Sequence, residues 1–191
     1  MAIKYINSRG DTYYLHEGKT KTGKPKYFFS MKKDGVLVDS IPAGYEIYEN
    51  PNAQVFLRKI LPKIFTDEEI NIVENIIKKC TKLTRFKIDI KGNKITVFLP
   101  DQDIDSLKQI FSTSAYSSDF KLNQLLSRVL TYSPMMRFVL VNEKKRIFQV
   151  ERMCFLGSID DWIFLDESSN LAQLVERYAG HLGKESFFDL M

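Results

Sequence analysis

The chain has 191 residues, 44% of them hydrophobic and 27% charged, with two cysteines, two histidines and a formal net charge of +4. This is ordinary globular composition, with enough chain for one sizeable core or two small ones, and it excludes a disordered tract or a disulfide-stapled mini-protein. The opening residues carry no apolar leader and no later run approaches the ~18 apolar residues that span a bilayer, so a cytoplasmic protein with no membrane contact is expected.

Cys80 and Cys154 each lie in an apolar segment and are expected as buried thiols. Neither histidine, His16 or His181, is near a cysteine in sequence, so no metal or other cofactor is expected. The charge is unevenly spread. Lys4, Arg9, Lys19, Lys21, Lys24, Lys26, Lys32 and Lys33 against Asp11 and Glu17 give residues 1–33 a charge of +6, so the other 158 residues sum to −2. A basic N-terminal portion on a nearly neutral body favours acidic partners.

To about residue 60 short apolar runs alternate with turn signals, the punctuation of a β-meander. Lys26 to Met31 and Val36 to Ile41 flank Lys32-Lys33-Asp34-Gly35, and Asp-Gly between extended runs predicts a hairpin. Ile41-Pro42-Ala43-Gly44 and Asn50-Pro51-Asn52 then set turns around Tyr45 to Tyr48 and Gln54 to Ile60. Thr66-Asp67-Glu68-Glu69 has capping-box spacing and opens a helix whose stripe is Ile70, Val73, Ile76, Ile77 and Cys80. Phe86, Ile88, Ile90 and Ile95, Val97, Leu99 alternate with polar residues around Lys91-Gly92-Asn93-Lys94, a second hairpin with one buried face. Helices are predicted over about 103–112 and 118–131, the second stopped by Pro134. Strands follow over 135–141, 146–155 and 162–165, and a last helix over about 169–182 that Gly180 or Gly183 can cap.

The expected fold class is therefore α+β. A basic, aromatic β module over 1–62, a meander or partial barrel, packs on an α+β body over 63–191 with further hairpins and about four helices. The block INSRGDTYYLHEGKTKTGKPKYFFS, followed by IPAGYEIYENPNAQVFLRK, resembles uncharacterised prokaryotic proteins of similar size. The resemblance covers residues 5–60 and implies no function.

Six lysines between Tyr13 and Lys33, beside Tyr13, Tyr14 and Tyr27-Phe28-Phe29, suggest a platform on which lysines meet phosphates and aromatic faces stack on bases. Arg9, Lys19, Lys21, Lys24, Lys26, Tyr27, Phe29, Lys32 and Lys33 are the candidate contacts to DNA, RNA or another polyanion. Gly18-Lys19-Thr20 is no phosphate-binding loop, since Tyr13 stands where the motif's first glycine belongs and a strand follows in place of a helix. Thr20, Thr22 and Gly23 are read as shaping a turn.

Asp101, Asp103 and Asp105, and separately Asp160, Asp161, Asp166 and Glu167, are spaced to cap helices or, if brought together, to hold Mg²⁺. His16 and His181 are read as surface or helix-terminal side chains and Trp162 as core. No hydrolase or metalloprotease motif accompanies them, and no catalytic residue is assigned. The tail Phe187, Phe188, Leu190 and Met191 must either dock on its own body or contact a protein partner or second copy. The leading reading is a non-enzymatic protein whose N-terminal face contacts nucleic acid. A protein-interaction or regulatory subunit using the β module and tail is the alternative, and a metal-dependent nuclease the third.

Overall fold

The computed structural model describes residues 2–81, 83, 85–112, 119–156 and 159–191, with the side chains of all these except 112, 119–121, 156, 159 and 160. The fold is α+β, as expected. Five short strands come first: β1 (Lys4–Ile6), β2 (Thr12–Lys19), β3 (Pro25–Ser30), β4 (Tyr45–Glu49) and β5 (Val55–Lys59). Helix α1 (Asp67–Cys80) leads into β6 (Lys87–Lys91) and β7 (Lys94–Pro100), and then α2 (Ile104–Ser112) and α3 (Asp119–Val129). The chain closes with β8 (Tyr132–Asn142), β9 (Ile147–Leu156), β10 (Ile159–Ser168), α4 (Leu171–Ala179) and a 3₁₀ turn at Glu185–Phe187. The expected start of the second of the paired helices, Ser118, lies outside the described residues.

Contacts divide the chain into two compact units, residues 1–60 with 102–131, and residues 61–101 with 132–191. The first crossing falls within two residues of the expected 62/63 boundary, but α2 and α3, placed in the body by the sequence reading, group with the N-terminal strands. The strands form only a three-stranded sheet, β1-β2-β3, and a β4-β5 hairpin, too little to bury a core alone. Leu126 and Leu130 of the α3 segment are fully buried in the same unit as Leu15, Ala53 and Val55. Gln102 and Thr131 clasp the neck of the helical excursion, amide to hydroxyl at 2.8 Å and backbone N–H to amide oxygen at 3.0 Å.

The predicted second arm of the Asp34-Gly35 hairpin does not pair with β3. After Ser30 the chain crosses β2 and runs along its other edge: Val38 N–H bonds the Leu15 carbonyl at 3.0 Å, and Glu17 N–H bonds that of Val36 at 3.0 Å. Gly35, at φ +106°, makes the crossing, a conformation that a side chain disfavours.

In the second unit β10-β9-β8-β7-β6 form one antiparallel sheet. Its core includes Ile95, Val97, Met136, Phe138, Phe148 and Val150 on the sheet with Val73 and Ile77 of α1 and Leu174 and Val175 of α4. The period-2 reading of β6 and β7 holds, with Gly92 at φ +59° in their turn. Pro134 does not simply stop a helix: it lies inside β8, opposite Phe98, at a bulge where the register slips between Val97 and Phe98. A bulge is where a central strand tolerates the missing N–H. Cys154 is buried but Cys80 is exposed, because α1 ends there and Thr81 turns inward in its place, its hydroxyl donating to the Ile77 carbonyl at 2.7 Å.

The capping box forms as read. Glu69 N–H donates to Thr66 Oγ1 at 3.2 Å and Thr66 N–H to Glu69 Oε2 at 2.9 Å. Glu69 also takes both ends of the Arg146 guanidinium, fastening α1 to the β8–β9 turn. Thr66→Ala should therefore cost about 0.5–2 kcal/mol of stability. Glu69→Ala should cost more, because it removes the cap and also the carboxylate of a half-buried guanidinium, leaving Arg146 only the long contacts to the Ile64 carbonyl. Paired urea titrations test the order, and equal losses would mean that Arg146 contributes nothing.

Candidate nucleic-acid interface

The basic stretch folds as the β2–β3 hairpin, in register from Tyr14↔Ser30 to Lys19↔Pro25. Its tip is closed by its own threonines and glycine, as read. Thr20 N–H bonds the Lys24 carbonyl at 2.8 Å, Lys24 N–H bonds Thr20 Oγ1 at 3.1 Å, and Gly23 adopts φ +79°. With the backbone satisfied locally, Lys19, Lys21, Lys24 and Lys26 project from one end of the hairpin, all exposed.

Alternation along a strand sends successive side chains to opposite faces. Leu15 is fully buried, and register places Phe29 opposite it and Tyr27 opposite Glu17, on that same face. Tyr27 and Phe29 are accordingly only part-exposed. The aromatic ring that stands out is Phe28, 42% exposed on the other face, within the noticed run but outside the candidate contacts. No periodicity distinguishes three consecutive aromatics, so only the packing of Leu15 decides which ring faces solvent.

Beneath Phe28 lies His16. It is not the surface histidine expected: it is 3% exposed, stacked on Phe28 with ring centroids 5.4 Å apart and planes 13° apart. The crossing segment seals it. Nε2 lies 2.9 Å from the Lys32 carbonyl, which can only accept, so Nε2 carries the proton. Gly18 completes the cradle, since a Cβ there would sit 3.3 Å from Phe28 Cε1. The same face carries Lys26 beyond Phe28 in β3 and Tyr14 beyond His16 in β2, and Lys33 places its Nζ 5.3 Å from the Tyr14 ring centroid.

Arg9 does not join this surface. Its Nη2 donates to the Leu130 carbonyl at 2.6 Å, where a cation complements the C-terminal end of α3. Its turn is built by the buried Asn7, which accepts from Asp11 N–H at 2.7 Å and donates to the Ala53 carbonyl at 2.8 Å.

The aspartates act locally. Asp103 accepts from Asp105 N–H at 3.0 Å and Ser106 Oγ at 2.6 Å at the start of α2, and these bonds, the serine's first, hold its carboxyl below the usual range. Asp161 accepts from Trp162 N–H at 2.7 Å, and Glu167 from Gln149 at 2.8 Å. The Asp160 side chain lies outside the described residues. Among the described residues no three His, Cys, Asp or Glu side chains gather as a metal site would require. Trp162 is not core: it is part-exposed, with the Arg137 guanidinium 4.1 Å from its ring centroid. His181 is helix-terminal as read, Nδ1 lying 3.0 Å from Ser186 Oγ.

The tail docks on its own unit. Phe187 is fully buried, whereas Phe188 and Met191 are exposed at 56% and 96%. Arg152, only 7% exposed within β9, donates Nε to the Leu190 carbonyl at 2.6 Å and Nη2 to that of Phe188 at 3.1 Å. A cation inside an apolar strand pattern thus takes its acceptors from the tail backbone. Among the described residues no helix is long and apolar enough to cross a membrane. Compared with family models, curated proteins and solved structures, the chain matches none.

Two outcomes follow from these contacts. Phe187→Ala should cost about 3–5 kcal/mol. Deleting residues 187–191 should cost more, because it also strips the buried Arg152 of two of its three carbonyl acceptors; a truncated chain that melts with the intact one would refute the docking. Asp166, held low chiefly by Glu167 N–H and further by Tyr178 and Arg177, links β10 to α4. A carboxyl lowered by folding stabilises above its unfolded pKa and loses that effect as pH falls through the folded value. Asp166→Asn should therefore lose about 0.2–1 kcal/mol at neutral pH and match the parent in strong acid; a gap constant with pH would contradict the ionic origin.

Proposed function

We propose that this protein binds nucleic acid, without catalysis, through the far end of the β2–β3 hairpin. One observation carries the reading: four exposed lysines, Lys19, Lys21, Lys24 and Lys26, converge on a tip whose backbone is already satisfied, beside an exposed aromatic ring. Cations held this way contribute little to folding, and their mutual repulsion is relieved when a polyanion arrives. Phosphates supply affinity in such an interface and little base discrimination. Lys32 and Lys33, exposed on the crossing segment, extend the positive field along the same face.

Replacing Lys19, Lys21, Lys24 and Lys26 together with Gln should weaken binding to every sequence while leaving the melting temperature unchanged. For single strands each lost contact removes about 0.7 from the slope of log K against log salt, so four remove roughly 3. Fluorescence anisotropy over a salt series measures both quantities. If the intact chain binds neither DNA nor RNA at low salt, the reading is wrong.

A further inference from the structure

Lysines alone do not choose between a single strand and a duplex, and a duplex, with its denser charge, repays each contact with more released counterion. Phe28 does choose. Its ring is braced from below by His16, itself buried and fixed through the Lys32 carbonyl, and lies across Gly18, where no side chain lifts it. Bracing matters because a platform ordered before binding loses little entropy when a ligand lands. Lys26 is two residues away on the same face, about 7 Å along the strand, a separation that one nucleotide bridges between its phosphate and its base.

Covering His16 and Gly18 accounts for the inward side of Phe28, since an aromatic ring often fills the gap that a glycine leaves in a strand. Cover alone would be served equally by leucine. An aromatic ring with 42% of its surface in solvent, at the edge of a lysine cluster, also offers what an unpaired base seeks and a paired, stacked base cannot use.

Resting on the proposed nucleic-acid reading, we infer that the ligand is a single strand, one base of which stacks on Phe28 to extend the His16–Phe28 stack while Lys26 and the tip lysines hold the flanking phosphates. His16 is a positioning residue here: it touches the ring and not the ligand.

The experiment uses the full chain, labelled oligo-dT and oligo-U, and a duplex of equal length, at one low salt concentration. Phe28→Leu keeps the cover but not the aromatic face, and Phe28→Tyr keeps both. The inference expects tighter binding to the better of the two single strands than to the duplex. It also expects that affinity to fall about 5- to 150-fold in Phe28→Leu, the equivalent of about 1–3 kcal/mol per stacked base, and to be retained in Phe28→Tyr. Duplex affinity and the salt slope should stay unchanged, because stacking releases no counterions. A Phe28→Leu protein that melts like the parent and binds single strands equally well would overturn the inference, as would a parent that prefers the duplex. Either result leaves the lysine-based reading standing, whereas absence of binding to all three probes removes both.

Discussion

β2 is covered on both faces at its centre, and the N-terminal unit is arranged around that constraint. Leu15 faces inward and is fully buried, and its neighbour His16, on the opposite face, is 3% exposed. A strand in a small sheet commonly keeps one face wet; here the second face is closed by the chain's own continuation, which crosses from β3 to the far edge of β2. The crossing fixes three things together. It supplies the carbonyl that His16 needs, it extends the edge begun by β1 through the bond from Ile3 N–H to the Val38 carbonyl at 2.8 Å, and it stops short of the hairpin tip. What lies beyond the covered centre, from Glu17 to Lys26, therefore projects into solvent with its lysines.

A comparable economy governs the second unit, where an interior cation is hydrogen-bonded by backbone carbonyls. Arg152 lies opposite Met136 in the register of β8 and β9, on the face that buries the core. Burying a guanidinium without partners would cost several kcal/mol. The tail provides carbonyls in place of a carboxylate, so Phe187 and Arg152 secure each other: the ring fills space that the sheet and helices leave, and the chain that follows it satisfies the charge. Four large apolar residues in the last five thus divide their work, Phe187 inside the core and Phe188 and Met191 in solvent.

Local chemistry was legible in the sequence and long-range chemistry was not. The capping box at Thr66 and Glu69, the alternation of Ile95, Val97 and Leu99, and the threonine–glycine tip are decided within a few residues, and each reads directly from spacing. By contrast, whether Tyr27, Phe28 or Phe29 faces solvent depends on which face of the hairpin buries Leu15, and that is settled by tertiary packing and not by spacing along the strand. The exposure of Cys80 depends on where α1 ends and Thr81 turns inward in its place. Asp-Gly at 34–35 does bend the chain, but turn chemistry specifies the bend and not the strand that will be met after it. Pro134 shows the same limit, since the residue that stops a helix is also acceptable in a central strand once a bulge removes the need for its N–H.

Support and charge lie on different side chains of the β2–β3 hairpin, so substitutions there act in two different ways. The tip lysines hold the hairpin through their backbone and not through their ammonium groups, so replacing a side chain alters the field and leaves the register intact. Phe28, His16, Gly18 and the Lys32 carbonyl behave differently, because each holds the next: a larger residue at 18 tilts the ring, a tilted ring uncovers His16, and a displaced crossing segment removes the acceptor of its Nε2. In the proposed interface, affinity would be tuned one lysine at a time, whereas the geometry of the aromatic step would be kept or lost as a unit. Residues in one such chain are expected to show coupled effects, while well-separated lysines add independently. The distinction lies in the direction of the side chains: the tip lysines are exposed to solvent, and Phe28 packs against His16 and Gly18 while leaving part of its ring exposed.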